Sequence, residues 1–275
     1  MPFRAVDIVE DPMAVMAVSS LIGLFRIRDS RGDPIDPESI GSGTLMRMPG
    51  DVYGILTAAH VLDELPDEGM IGYLTFTRQD SRQQTKIDVQ LTDKTYAPGW
   101  QPGIPVPDIG FLEIKDKAVI ETIRARGCSF FDFGRDRQVE SDKVGVAYYA
   151  TGVVNATRVE ILETAGTPKI TGYTAMAGYC PAVDKLMVGD CKVLSVMVDT
   201  NDPPETYGGV SGGGLWLFLA PDGDAKRAQR FFIGVLFFES DQDANGNRVL
   251  HAHSLADIDR LLLPHFQEKA AMSRG

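Results

Sequence analysis

The chain has 275 residues and a mass of about 30 kDa, with 27 Lys plus Arg against 38 Asp plus Glu and a formal net charge of −11. That balance argues against a general nucleic-acid binder, which needs a basic surface to neutralise phosphates, and against electrostatic adhesion to anionic membranes. The 44% hydrophobic fraction is enough for a packed core and too high for a disordered chain.

Gly 28 and Pro 16 give roughly one breaker per six residues, punctuation that suits many short strands better than long helices. The longest apolar stretch, Met13 to Phe25, is too short to span a bilayer. It reads as mature structure rather than a signal-peptide core. Asp7, Glu10 and Asp11 precede it instead of a basic cluster, and no small-residue cleavage site follows before Arg26. A buried strand is expected over 15–27. Further strands are expected over 40–46 and 52–58, separated by the turn Pro49-Gly50-Asp51, then over 70–78 and 85–92. Residues 96–107 form a loop dense in proline (Pro98, Pro102, Pro105 and Pro107), and a strand follows at 109–114 with Gly110 inside it. A helix is expected over 118–126.

A second β-rich block is expected with strands at 144–154, 157–164, 169–176, 191–199, 215–220, 231–239 and 248–254. Its turns are Pro221-Asp222-Gly223 and Asn245-Gly246. Ser254 is a helix N-cap with Asp257 three residues on, and Leu255, Ile258, Leu261 and Leu262 then recur at helical spacing. The expected organisation is a β unit over 1–117, a partly helical linker over 118–135, a second β unit over 136–253 and a C-terminal helix and tail over 254–275. The cysteines Cys128, Cys180 and Cys191 are odd in number and contain no CxxC pair, so neither a disulfide framework nor a zinc site is expected. They read as reduced, half-buried thiols of a cytoplasmic protein, with a Cys180–Cys191 pair across a hairpin left open.

Three segments concentrate the chemistry. Ile55-Leu56-Thr57-Ala58-Ala59-His60-Val61-Leu62 runs a hydrophobic strand into small residues and presents a histidine at its end. Pro107-Asp108-Ile109-Gly110-Phe111-Leu112 places an aspartate where a constrained loop enters an apolar strand. Gly208-Gly209-Val210-Ser211-Gly212-Gly213-Gly214 encloses a serine in glycines before another apolar strand. A serine hydroxyl is a poor nucleophile until a base takes its proton, and an imidazole does so near neutral pH. A buried carboxylate on the other ring nitrogen fixes the tautomer and stabilises the imidazolium. Glycines around the serine let backbone N–H groups face a developing oxyanion, where each such donor is worth roughly 3 kcal/mol of barrier. Taken singly, each residue also fits a bland role: a strand-end histidine, a turn aspartate, a tight glycine turn.

Together the segments resemble the trypsin-like (chymotrypsin-fold) serine peptidases. Thr57-Ala58-Ala59-His60-Val61 matches that family's histidine motif, Asp108-Ile109-Gly110-Phe111-Leu112 resembles its aspartate motif, and Gly209-Val210-Ser211-Gly212-Gly213 matches its serine motif. The resemblance implies an all-β fold of two packed six-stranded antiparallel barrels with a C-terminal α-helix and the active site between the barrels. It implies His60 as general base, Asp108 as its orienting carboxylate, Ser211 as nucleophile, and the N–H groups of Gly209 and Ser211 as the oxyanion hole. The strand holding Phe237, Phe238 and Glu239 would pair with substrate backbone, Phe237 and Glu239 narrowing the pocket. Glu205, six residues before the serine, would lie at the base of the specificity pocket and favour Arg or Lys. Val210 stands where secreted members carry an aspartate that pairs with a new N-terminus, which implies no zymogen activation. Val61 replaces a common cysteine, which points to a disulfide-free, bacterial-type, intracellular branch. The expected activity is peptide-bond hydrolysis of a peptide or protein substrate with neither metal nor organic cofactor; a regulatory partner is left open and unidentified.

Two other readings compete with this one. Gly209–Gly213 also satisfies the G-x-S-x-G elbow of α/β-hydrolases, with His251 or His253 as the later base, but the order of triad residues and the missing βα units disfavour it. The second alternative is a catalytically idle protease-fold module that binds peptides or partner proteins.

Overall fold

The structure, a computed structural model, describes residues 11–27, 38–77, 85–104, 106–135, 147–161, 170–200, 203–220, 224–243 and 247–272. The turns expected at 221–223 and 245–246, Pro105, and the strand portions expected at 144–146 and 162–164 lie outside the described residues.

The described residues begin with a helix, and the strand expected over 15–27 is confined to the second half of that span. Helix α1 (Pro12–Val18) begins because the Asp11 side chain accepts the Met13 N–H at 2.8 Å and Pro12 fills a first-turn position whose N–H has no intrahelical partner. Only after Ser19 and Ser20 does β1 (Leu21–Arg26) begin. The first sheet then takes β2 (Glu38–Met48), β3 (Val52–Thr57), β4 (Met70–Thr75), β5 (Thr85–Asp88), β6 (Thr92–Tyr96), β7 (Gly110–Ile114) and a two-residue β8 (Phe131–Asp132). Its order is β5-β4-β1-β2-β3-β7-β6, all antiparallel, with β8 joined to β2 in parallel. The second sheet takes β9 (Ala147–Ile161), β10 (Ile170–Cys180), β11 (Asp184–Val188), β12 (Cys191–Val196), β13 (Gly214–Leu219), β14 (Gln229–Glu239) and β15 (Leu250–Ser254), in the order β10-β9-β13-β14-β15-β12-β11.

Both sheets are rolled into barrels, and the connections show why. In the first, β5 and β6 are opposite ends of the strand order, yet only the 3-10 turn Val89–Leu91 separates them. In the second, β10 and β11 are the two ends, and only residues 181–183 lie between them. Three residues reach about 10 Å, so the edges of each sheet must curl close together. The architecture is therefore two antiparallel β-barrels with C-terminal helix, as the sequence implied. Among the described residues the strand counts differ from six apiece: the first sheet has eight strands and the second seven. The segment 85–92 is divided by the 3-10 turn. The break expected near Asn155 is absent, since β9 runs through it. The exposed β11 leads into β12 through a two-residue turn in which Gly189 has φ +61°.

Helices α2 (Ala59–Glu64) and α3 (Lys117–Ala125) belong to the first half of the chain, the latter capped by the Asp116 side chain. The single C-terminal helix expected from 254 is two, α4 (Leu255–Leu261) and α5 (Leu263–Met272). Ser254 caps α4 as expected, and Pro264, lacking an N–H to continue the ladder, accounts for the break. These helices close the core over both barrels: Ile258, Leu262 and Phe266 join Leu56 and Phe111 of the first with Trp216, Phe218 and Phe232 of the second. The Phe266 ring meets Phe111 edge-on at 4.9 Å. All three cysteines are free and buried. Among the described residues no helix is long and apolar enough to cross a membrane.

Candidate active site

His60 lies not at the tip of a strand but in the first turn of α2, directly after β3. Small residues make that close passage possible. Ala58 and Ala59 are fully buried. A Cβ on Gly110, the register partner of Thr57, would lie 2.6 Å from Leu62 Cδ1 and 3.3 Å from Ala59 Cα. The glycine of the aspartate segment thus lets the helix bearing His60 rest on β7.

The start of a helix leaves N–H groups without intrahelical acceptors, and no side chain of Ala58 caps α2. Asp108 supplies the acceptor from just before β7, the strand paired with β3. Its Oδ1 takes the His60 backbone N–H at 2.9 Å, and its Oδ2 takes Nδ1 of the same residue at 2.6 Å. Nδ1 carrying the proton leaves Nε2 bare, the tautomer a general base needs. Asp108 is buried and follows the cis Val106–Pro107 bond. Burial pulls the His60 pKa down, but the hydrogen bond and charge of Asp108, with the charge of Glu64, outweigh it and hold the pKa above the ordinary 6.5.

The Ser211 loop is folded by glycines and clamped by the other barrel. Gly209 has φ +94° and Gly212 φ +90°, conformations that side chains rarely adopt. A Cβ on Gly212 would lie 2.0 Å from the Ser42 carbonyl oxygen, and one on Gly209 would lie 2.3 Å from Asn155 Oδ1. Ser42 of β2 donates its N–H to the Ser211 carbonyl at 2.7 Å and its hydroxyl to the Gly209 carbonyl at 2.6 Å. Val153 of β9 then donates its N–H to the same hydroxyl at 2.8 Å. Sequence reasoning missed Ser42; its signal was the small run Gly41-Ser42-Gly43 inside an apolar strand. Among the described residues, the N–H groups of Gly209 and Ser211 have no hydrogen-bond acceptor. Val210, where the resembled family carries an aspartate, is buried in an apolar cluster with Leu215 and Leu236, and a Cβ on Gly152 would meet it at 2.7 Å.

His60, Asp108 and Ser211 all line one cleft of about 690 Å³, together with Phe237, Phe238 and Glu239. The Ser211 hydroxyl donates to the Phe237 carbonyl at 3.4 Å rather than to His60. Phe238 is 54% exposed, whereas Phe237 is buried and stacked on His253 with ring centroids 4.2 Å apart. The Glu239 carboxylate is engaged by Thr206 Oγ1 and, at 2.5 Å, by the Tyr207 N–H, tying β14 to the loop before the serine. Glu205 departs from the expected place. It is exposed and lies outside the lining of the cleft, and its carbonyl accepts from Arg248 Nε at 2.9 Å. Glu239, unlike Glu205, is among the residues that line the cleft.

One ring nitrogen of His253, the Cys191 sulfur and a carboxylate oxygen of Asp257 lie within 4.8 Å of one another. The donor set does not suit a metal ion. His253 Nε2 already accepts the Asp108 N–H at 2.9 Å, so Nδ1 holds the proton and neither nitrogen has a free lone pair. The Arg260 guanidinium also lies 3.7 Å from the Cys191 sulfur and 3.3 Å from Asp257 Oδ1.

No protein-family model matches the chain, and no curated protein matches its sequence. Among solved structures it is similar to kallikrein-related peptidase 10, with a TM-score of 0.49 and 12% identity, over 89% of this chain and 93% of that one.

Proposed function

We propose that this protein is a serine endopeptidase that hydrolyses peptide bonds through an acyl-enzyme on Ser211. The observation that carries the reading is the double hydrogen bond of Asp108 to His60, inside the cleft that Ser211 also lines. In the proposed reaction the Ser211 hydroxyl leaves the Phe237 carbonyl and gives its proton to Nε2 of His60 while Oγ attacks the scissile carbonyl carbon. The N–H groups of Gly209 and Ser211 receive the oxyanion. His60 returns the proton to the leaving amine, whose C–N bond breaks. Water then attacks the ester, its proton passing through His60, and the acid is released with Ser211 restored. Asp108 holds the ring and its charge throughout. The chemistry calls on no metal or organic cofactor.

A second reading has one observation in its favour: the serine hydroxyl faces a carbonyl and Glu239 occupies part of the cleft, as suits a module that binds peptides without cleaving them. A fluorophosphonate probe separates the two. Covalent labelling of the wild type that disappears in Ser211→Ala supports the peptidase, and a peptide-library cleavage profile then defines its substrates. Absence of labelling with peptide binding retained supports the module.

A further inference from the structure

The Asp108 backbone N–H is buried with its residue, and its acceptor comes from the other barrel. It donates to Nε2 of His253, 145 positions away in sequence, at 2.9 Å. We propose that His253 is a positioning residue, which holds Asp108 by its main chain so that both carboxylate oxygens meet His60.

Four observations carry this. First, both carboxylate oxygens of Asp108 are engaged by His60, so the backbone N–H gives the residue an anchor independent of the group it orients. Second, His253 sits on a rigid support. It is in β15 between β12 and β14, in register with Val193 and Val235, wholly buried, and its ring lies flat against Phe237. Third, the bond dictates a tautomer. Nε2 accepts, so the proton is on Nδ1, and that N–H is buried without a hydrogen-bond partner. Leaving a polar group so placed is costly, and the Asp108 contact is what the ring gains in return. Fourth, burial pushes the His253 pKa down to about 4, against the opposing pull of Asp108 and Asp257, so Nε2 stays an acceptor at neutral pH. Phe237 adds the last link, since its ring packs on His253 while its carbonyl accepts from the Ser211 hydroxyl. A side chain in the second barrel therefore sets where the acid of the first barrel sits.

This inference rests on the peptidase reading only for its effect on rate, and its test has a part that needs no activity. Long-range 15N–1H correlation spectra of the uniformly labelled protein report both histidines. The expected His253 spectrum has a protonated Nδ1 and a bare Nε2. The His60 Nδ1 proton should give a low-field resonance in the wild type and in His253→Gln, whose amide oxygen restores an acceptor, and should lose it in His253→Leu. Fluorophosphonate labelling should slow about 10- to 100-fold in His253→Leu, as for a misplaced catalytic group, and recover to within roughly threefold in His253→Gln. A His253 protonated on Nε2 overturns the proposal, even if His253→Leu fails to fold. So does a folded His253→Leu that keeps the His60 resonance. A wild type that is never labelled refutes the peptidase reading instead, and the spectra still decide the role of His253.

Discussion

Asp108 grips His60 at two points, its backbone N–H and its ring Nδ1, using one carboxylate oxygen for each. The same carboxylate thus caps the helix that carries the imidazole and sets the imidazole's tautomer. Position and protonation state of His60 cannot be changed separately.

Asp108→Asn tests that coupling. An amide has one acceptor, so if its oxygen keeps the His60 N–H its NH2 faces Nδ1. The ring must then carry its proton on Nε2 and cannot accept from Ser211. Labelling and kcat should fall by about 10^4-fold, the size of such a tautomer error, while the thermal midpoint changes little. Unchanged kcat would show that another acid orients His60.

The pH dependence of activity follows from His60. Its folded pKa is raised above 6.5, and the base form is the deprotonated one. The rate should therefore rise with pH through a midpoint above 6.5, measured as kcat/KM against pH. The stabilisation from the charged pair has the opposite sense: full below 6.5 and lost as pH rises through the raised value.

His253 produces an acid-side effect on stability. Its folded pKa of about 4 lies below the ordinary 6.5, so the unfolded chain binds the extra proton first. Its contribution is complete above pH 6.5 and declines as pH falls towards 4, by about 3 kcal/mol in all. Urea midpoints across that window should drop in the wild type and be flatter in His253→Gln.

Three glycine-to-alanine changes separate strain from crowding. Gly189→Ala meets no atom within 4 Å and carries only the cost of φ +61°, about 1 kcal/mol. Gly209→Ala and Gly212→Ala add contacts of 2.3 Å and 2.0 Å to comparable backbone strain and should each lose more than about 2 kcal/mol. Denaturant midpoints of the three variants give the comparison.

Glu239→Ala removes the acceptor of the Tyr207 N–H, a residue that is itself buried. The expected loss is about 1–3 kcal/mol of stability. The cleft should also open, seen as a lower KM for peptides with bulky side chains at the cleavage site.

The amino-acid sequence determined the β-rich plan, the C-terminal helix start at Ser254 and the three segments around His60, Asp108 and Ser211, because each is a local pattern. Alternation marks strands, a cap marks a helix start, and glycines flank a serine where the backbone must take positive φ. Helix α1 was also written locally, in Asp11 and Pro12, but a long apolar run concealed it. Tertiary structure alone decided the rest. Ser42, Glu239 and His253 act across 167, 32 and 145 positions of chain on Gly209, Tyr207 and Asp108, and no spacing in a sequence encodes such a meeting. It also left Glu205 exposed and put Glu239 in the lining of the cleft, because which loop the rolled sheet turns inward is a property of packing and not of distance from the serine.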